Sequence, residues 1–184
     1  MKSVIVFGSK YGSSKQYAAM LAQNLQIDCF DYKEFDMSKK YDVLIYIGAL
    51  YAGGVTGLAK IFRNYPPDHY EQLMIVTVGV SDPENPKNAE AIKANIYRQL
   101  PKNLKENKDI DIFHLRGSID YSGLHLQHRL MMKFLYQKVK KIPVEQLDEE
   151  TKDFIATYNK KADFINFDSL LPLIDRYSQM IKKS

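Results

Sequence analysis

Five short apolar runs, each separated from the next by a helical pattern or a turn, restrict what this chain can fold into. The runs are Ser3 to Phe7, Ile27 to Tyr32, Val43 to Leu50, Leu73 to Val80 and Ile110 to Leu115. Several are almost continuously apolar, as strands covered on both faces must be. Between them, Ala18, Leu21, Ala22 and Leu25 repeat with a helical period, which defines a core-facing stripe. Gly57 to Tyr65 reads as a helix that stops before Pro66 and Pro67, and Ala89 to Leu100 as another, capped by Asn88 and closed by Pro101. This alternation predicts an α/β fold, a doubly wound five-stranded parallel sheet with helices on both faces. Such sheets bind ligands outside the carboxyl ends of their strands. Three loops at that edge are the candidates: Gly8 to Ser14, Ala49 to Thr56 and Gly79 to Lys87.

The first loop, Gly8-Ser9-Lys10-Tyr11-Gly12-Ser13-Ser14, runs from an apolar strand straight into a helix. A helix start offers unpaired N–H groups and the positive end of the macrodipole, so it favours an anion. Glycines let the backbone approach that anion, and the serines add hydroxyl donors. The loop is neither the Walker pattern nor the G-x-G-x-x-G fingerprint. Two readings stay open: a site for one terminal phosphate, or an ordinary turn with a serine N-cap.

The last third departs from the alternation. A long helical pattern runs from Leu124 to about Lys141, with Leu124, Leu130, Met131, Phe134, Leu135, Val139 and Ile142 on a wide apolar arc. Arg129, Lys133, Tyr136 and Lys140 share the other face with His125. Asp148, Glu149 and Glu150 begin a shorter helix, and a final helix from about Asp168 to Lys183 is expected to bury Leu170, Leu171, Ile174 and Ile181. The simplest organisation is one domain, 1–184, with a helical insertion over about 117–163.

Composition narrows the function. The single cysteine, Cys29, lies in a strand-like run and reads as a buried, inert thiol. His69, His114, His125 and His128 lack the spacing of a metal site, so no metal is expected. The net charge of +4 tolerates anionic partners, but no lysine run is interleaved with aromatics as in a nucleic-acid surface. No apolar run approaches a membrane span and the apolar start is too short for a signal peptide, which leads to a cytoplasmic expectation.

The three loops together resemble the flavodoxin superfamily. Ser9-Lys10-Tyr11-Gly12-Ser13-Ser14 stands where that family carries a hydroxyl-rich loop for the phosphate of FMN, with Tyr11 in place of its middle threonine. The resemblance implies that Ala49, Leu50, Tyr51, Ala52 and Gly53 border the flavin ring, with Tyr51 stacking on it. It further implies that Gly79, Val80, Ser81 and Asp82 offer backbone groups to the ring's pyrimidine edge, and that Lys10 compensates charge at the rim. Within the superfamily, Gly117-Ser118-Ile119-Asp120-Tyr121 and the segment His128-Arg129-Leu130-Met131-Met132-Lys133 are similar to the menaquinone-dependent protoporphyrinogen oxidase group. That likeness implies an FMN oxidoreductase, coupled to a quinone or other redox partner and acting on a tetrapyrrole. No catalytic residue is identified, and Asp120 with Tyr121 reads as a solvated loop pair.

The alternative is a non-enzymatic FMN electron carrier, although small flavodoxins are generally acidic and this chain has a pI near 8.9. A further alternative is a flavodoxin-like domain that has lost its flavin. The helix over 124–141 has three readings: packed on the sheet, paired with substrate carboxylates, or peripheral to an anionic membrane.

Overall fold

A computed structural model describes residues 1–51, 54–107, 109–124, 126–147 and 149–182. Ala52, Gly53, His125 and Asp148, singled out above, lie outside the described residues. Five parallel strands make the sheet, in the order β2 (Asp28–Asp31), β1 (Ser3–Gly8), β3 (Tyr41–Tyr51), β5 (Tyr70–Gly79), β6 (Ile110–Arg116), and the two-residue β4 (Gly54–Val55) pairs antiparallel with β3. The chain order reverses direction between β1 and β3, so the switch point predicted to hold ligand falls at the carboxyl ends of those two strands.

The sheet is covered on both sides, which is why its strands read as unbroken apolar runs. On one side, α2 (Leu58–Asn64) and α3 (Pro86–Gln99) pack Leu58, Ile61, Ile92 and Ile96 against Val4, Val6, Leu44 and Ile75. On the other, α1 (Ser13–Leu25) and α7 (Leu171–Lys182) pack Tyr17, Leu21, Leu173 and Met180 against Ile5, Ile45 and Val76. A short α4 (Lys102–Asn107) precedes β6. Cys29 is half-buried on edge strand β2, and burial pushes its thiol pKa up to about 11.

Three local expectations are corrected. Helix α3 begins one turn earlier than its apolar pattern, with Asn85 as the cap: its side chain accepts the Lys87 N–H at 3.1 Å, with Pro86 at the first helical position. Asn88 lies inside the helix, buried, and donates to the Asp82 carbonyl. Helix α1 has no serine cap; Gly12 occupies that place at φ 102°, a conformation that suits glycine. Helix α7 buries Leu173, Tyr177 and Met180, whereas Leu171 is 59% exposed and Ile181 faces outward. A 3-10 turn over Phe167–Leu170 precedes α7 and resets the phase, so only Leu170 and the half-buried Ile174 of the expected set meet the core.

The segment between β6 and α7 leaves and rejoins the sheet edge on two paired stalks, β7 (Ser118–Asp120) and β8 (Lys161–Asp163), joined antiparallel. Between them lie α5 (Leu126–Val139) and α6 (Glu149–Thr157). A cluster of rings binds these parts: Tyr136 stacks on Tyr158 at 3.9 Å, while Tyr121 and Phe154 meet Tyr158 edge-on. The expectation that the apolar arc of α5 packs on the sheet is not met. Of the described α5 side chains only Val139 is buried, because the stalks hold the helix beyond the carboxyl edge of the sheet. The solvated reading of Tyr121 also fails, since it is buried while its neighbour Asp120 is exposed.

The corrected phase of α7 makes an immediate contrast. Leu173→Ala is expected to cost about 2–5 kcal/mol and Leu171→Ala no more than about 0.5, measured by denaturant unfolding. A second outcome concerns His114, whose Nδ1 lies 2.7 Å from the Thr77 hydroxyl between β5 and β6. Burial lowers its pKa, so the unfolded chain takes up a proton near 6.5 and the folded chain only below that. Stability is therefore expected to fall as pH drops below 6.5, and the fall should shrink in His114→Gln.

Candidate functional site

Helix α1 starts directly beneath the first loop, and two of its hydroxyls hold the stalks. Ser13 Oγ accepts the Ser118 N–H at 3.0 Å and shares a second hydrogen bond with the Ser118 hydroxyl. One turn later, Tyr17 Oη donates to the Arg116 carbonyl at 2.7 Å and accepts the Asn166 N–H at 2.9 Å. Gly117 makes this approach fit: a Cβ there would lie 2.9 Å from Val78 Cγ1 and 3.2 Å from Ser13. Its N–H donates to the Gly79 carbonyl, which closes the third loop against the first stalk.

A cavity of about 460 Å³, open to solvent, lies along the carboxyl edge. It is bordered by Ser9, Lys10, Tyr11, Ser13 and Ser14 of the first loop and by Ala49, Leu50, Tyr51, Gly79, Val80 and Ser81 of the other two. Leu124, Met131, Met132, Leu135 and Phe154 of the insertion complete its apolar lining. The three loops chosen from sequence thus meet at one cavity. Leu50, Tyr51, Gly79, Val80 and Ser81 also border a second recess, of about 430 Å³, against α3. Asp82 borders neither cavity; its carboxylate accepts the Glu84 N–H and closes its own turn.

The hydroxyls of the first loop divide their work. Ser9 Oγ accepts the Gly12 N–H at 3.1 Å, which shapes the turn and leaves the hydroxyl proton to donate elsewhere. Ser13 is committed to Ser118. Ser14 is fully buried, and among the described residues its hydroxyl has no hydrogen-bond partner. The first intrahelical bond runs from the Gln16 N–H to the Gly12 carbonyl, so the N–H groups of Ser13, Ser14 and Lys15 precede the helical ladder. An unpartnered buried hydroxyl beside free N–H groups at a helix start suits a tetrahedral anion such as a phosphate. These groups fit the phosphate end of a flavin nucleotide.

Tyr11 does something else. Its hydroxyl is hydrogen-bonded to Nδ1 of His128, on the inner side of α5, and the two rings meet edge-on. The His128 ring also rests on Tyr51, with centroids 4.9 Å apart, and the Lys10 ammonium lies 5.0 Å from the Tyr51 centroid. Tyr11, Tyr51 and Lys10 thus form a contact between the loops and the roof, with His128 as its upper member. Burial raises the phenol pKa of Tyr11, where Tyr51 adds to the effect, and raises that of Tyr51. Tyr121 is pushed up to about 12 by burial, and among the described residues its hydroxyl has no partner. All three phenols remain protonated at neutral pH. The Val80 carbonyl is fixed by Arg116, which donates to it through Nε and Nη2 at 3.2 and 3.1 Å.

Sequence reasoning missed Ser118, Arg116 and the contact role of His128. Each acts across more than thirty residues of chain, and no local spacing records such a meeting. Among the described residues, no group of three or more His, Cys, Asp or Glu is placed to hold a metal ion.

A model of the Flavodoxin domain family matches residues 4–145. No curated protein matches the chain in sequence. Among solved structures, a flavodoxin from the domain Archaea is 11% identical, with a TM-score of 0.41, covering 63% of this chain and 83% of that one. The Trp repressor binding protein from Bacillus subtilis is 16% identical, with a TM-score of 0.42 and the same two coverages, 63% and 83%.

The contact between Tyr11 and His128 can be tested without any ligand. Tyr11→Phe is expected to speed amide hydrogen exchange across 126–139 by roughly fivefold, the equivalent of about 1 kcal/mol, while exchange in β1 and β3 stays unchanged. Unaltered exchange in α5 would show that the bond does not hold the roof.

Proposed function

The chain belongs to the flavodoxin domain family, and from that premise we propose that it holds FMN along the carboxyl edge of the sheet and works as an oxidoreductase. Members of the family generally bind flavin. The observation that carries the reading here is the Ser14 hydroxyl, buried and without a partner among the described residues, in the lining of a cavity bordered by all three expected loops. Leaving such a group unpaired costs about 1–3 kcal/mol, a cost that an anion's oxygen would remove.

In this reading Ser9, Ser14 and the N–H groups that open α1 hold the phosphate, and Lys10 adds a positive charge at the rim. Leu50, Tyr51, Gly79, Val80 and Ser81 border the ring. A ring stacked on Tyr51 displaces either Lys10 or His128 from that surface, so loading the cavity loosens the roof contact. Bound FMN supplies hydride and single-electron chemistry. The protein's part is to position it, exclude water through the insertion, and present phenol donors that stay protonated at neutral pH.

The enzyme reading is preferred to the carrier because the cavity continues past the ring-binding loops to Leu124, Met131, Met132, Leu135 and Phe154. That apolar space beside the flavin gives a substrate room, which a carrier does not need. The finer reading is oxidation of protoporphyrinogen IX coupled to a quinone. It is supported by the sequence likeness over Gly117 to Lys133 and by the apolar character of the same space.

The purified chain is expected to bind one FMN, and Ser14→Ala to weaken that binding about tenfold, the loss of one hydrogen bond to a charged group, measured by fluorescence quenching. Turnover of protoporphyrinogen IX with a menaquinone analogue supports the finer reading. Efficient electron exchange with a redox protein and no such turnover supports the carrier.

A further inference from the structure

Helix α5 is apolar on two opposite sides. At 100° per residue, His128, Met131, Met132, Leu135 and Val139 share the side that borders the cavity. Leu126, Leu130 and Phe134, one turn apart from each other, fall on the opposite side. Those three side chains are 71%, 47% and 75% exposed. A helix that only roofs a cavity has no use for an apolar ridge on its outer face, and large exposed apolar groups in a row mark a contact surface.

The charges around the ridge indicate what it contacts. On the same helical projection Arg129 and Lys133 lie along one flank and Lys138 along the other, and Lys140 and Lys141 follow at the carboxyl end. All five are exposed. From Tyr121 to Val144 the sequence contains those five cations and no Asp or Glu. An apolar ridge edged by cations, on a helix that itself carries no Asp or Glu, is the pattern of a helix lying in the headgroup region of an anionic bilayer. Among the described residues, no helix is long and apolar enough to cross a membrane, so the contact is with the surface.

We propose that the outer face of α5 docks this protein on anionic lipid, with Leu126, Leu130 and Phe134 entering the headgroup layer and Arg129, Lys133 and Lys138 pairing with lipid phosphates. The ridge supplies depth and the cations supply selectivity for negative charge. A second copy of the chain fits less well, because two such faces would bring their cations together. The proposal stands apart from the flavin reading, since it uses the side of α5 turned away from the cavity.

The chain contains no tryptophan, which makes a clean reporter available. In Phe134→Trp, the emission is expected to shift to shorter wavelength on vesicles containing phosphatidylglycerol, and to stay unshifted on vesicles of phosphatidylcholine alone. Leu171→Trp, at the exposed apolar position on α7, is expected to stay unshifted on both. Co-sedimentation with the anionic vesicles should fall at least tenfold in Leu126→Ser with Leu130→Ser, and equally in Lys133→Glu with Lys138→Glu. Circular dichroism and unchanged melting confirm that these surface variants fold. The proposal is overturned if the wild-type chain ignores anionic vesicles, if both reporters shift alike, or if either double variant binds as well as the parent. It is also overturned if the ridge proves to form a dimer, seen as a concentration-dependent mass that Leu130→Ser abolishes while vesicles recruit no protein.

Discussion

Two hydroxyls on one helix, Ser13 and Tyr17, hold the stalks on which the insertion stands. Ser13 takes the outgoing stalk at Ser118, and Tyr17 bridges the end of β6 and the returning chain at Asn166. Tyr17 is fully buried and Ser13 nearly so, so both bonds are made away from bulk water and are costly to break. Both ends of the insertion are tied to α1 through them. With the stalks fixed, α5 must pass outside the carboxyl edge of the sheet, and the space between becomes a cavity rather than core.

The same short stretch therefore carries both the anchoring bonds and the proposed phosphate contacts, divided by single steps along the chain. Ser13 is spent on the insertion, while Ser14, next to it, is buried with no hydrogen-bond partner among the described residues. Tyr11, which replaces the small hydroxyl expected in a phosphate loop, reaches up to His128 instead. The substitution does not remove a phosphate donor so much as convert one corner of the loop into a contact with the roof. Lys10 and His128 both lie against Tyr51, so the surface most suited to a flat ring is also the point where loop and roof meet.

Much of this was legible in the sequence for a simple reason. A parallel sheet buried on both faces leaves near-continuous apolar runs, and its loops emerge at one edge in a fixed sense, so five runs located the strands and the three loops. Phase was harder to read. Leu170 and Leu171 are adjacent, and only the 3-10 turn before α7 decides that Leu173, Tyr177 and Met180 face inward. In α5 the apolar residues cover two opposite sides, so they form one wide arc that does not tell which side meets protein. The links from Ser13 to Ser118 and from Tyr11 to His128 join residues more than a hundred positions apart. Such meetings are created by folding and leave no periodic trace.

The central claim is that the start of α1 holds the phosphate of a flavin whose ring lies between the second and third loops. A crystal structure of the chain grown with FMN tests it most directly. The account predicts a phosphate oxygen within hydrogen-bond distance of Ser14 Oγ and of the first N–H groups of α1, with the ring bordered by Leu50, Tyr51 and Gly79. A flavin bound elsewhere, or a phosphate that leaves the Ser14 hydroxyl unpaired, would contradict it.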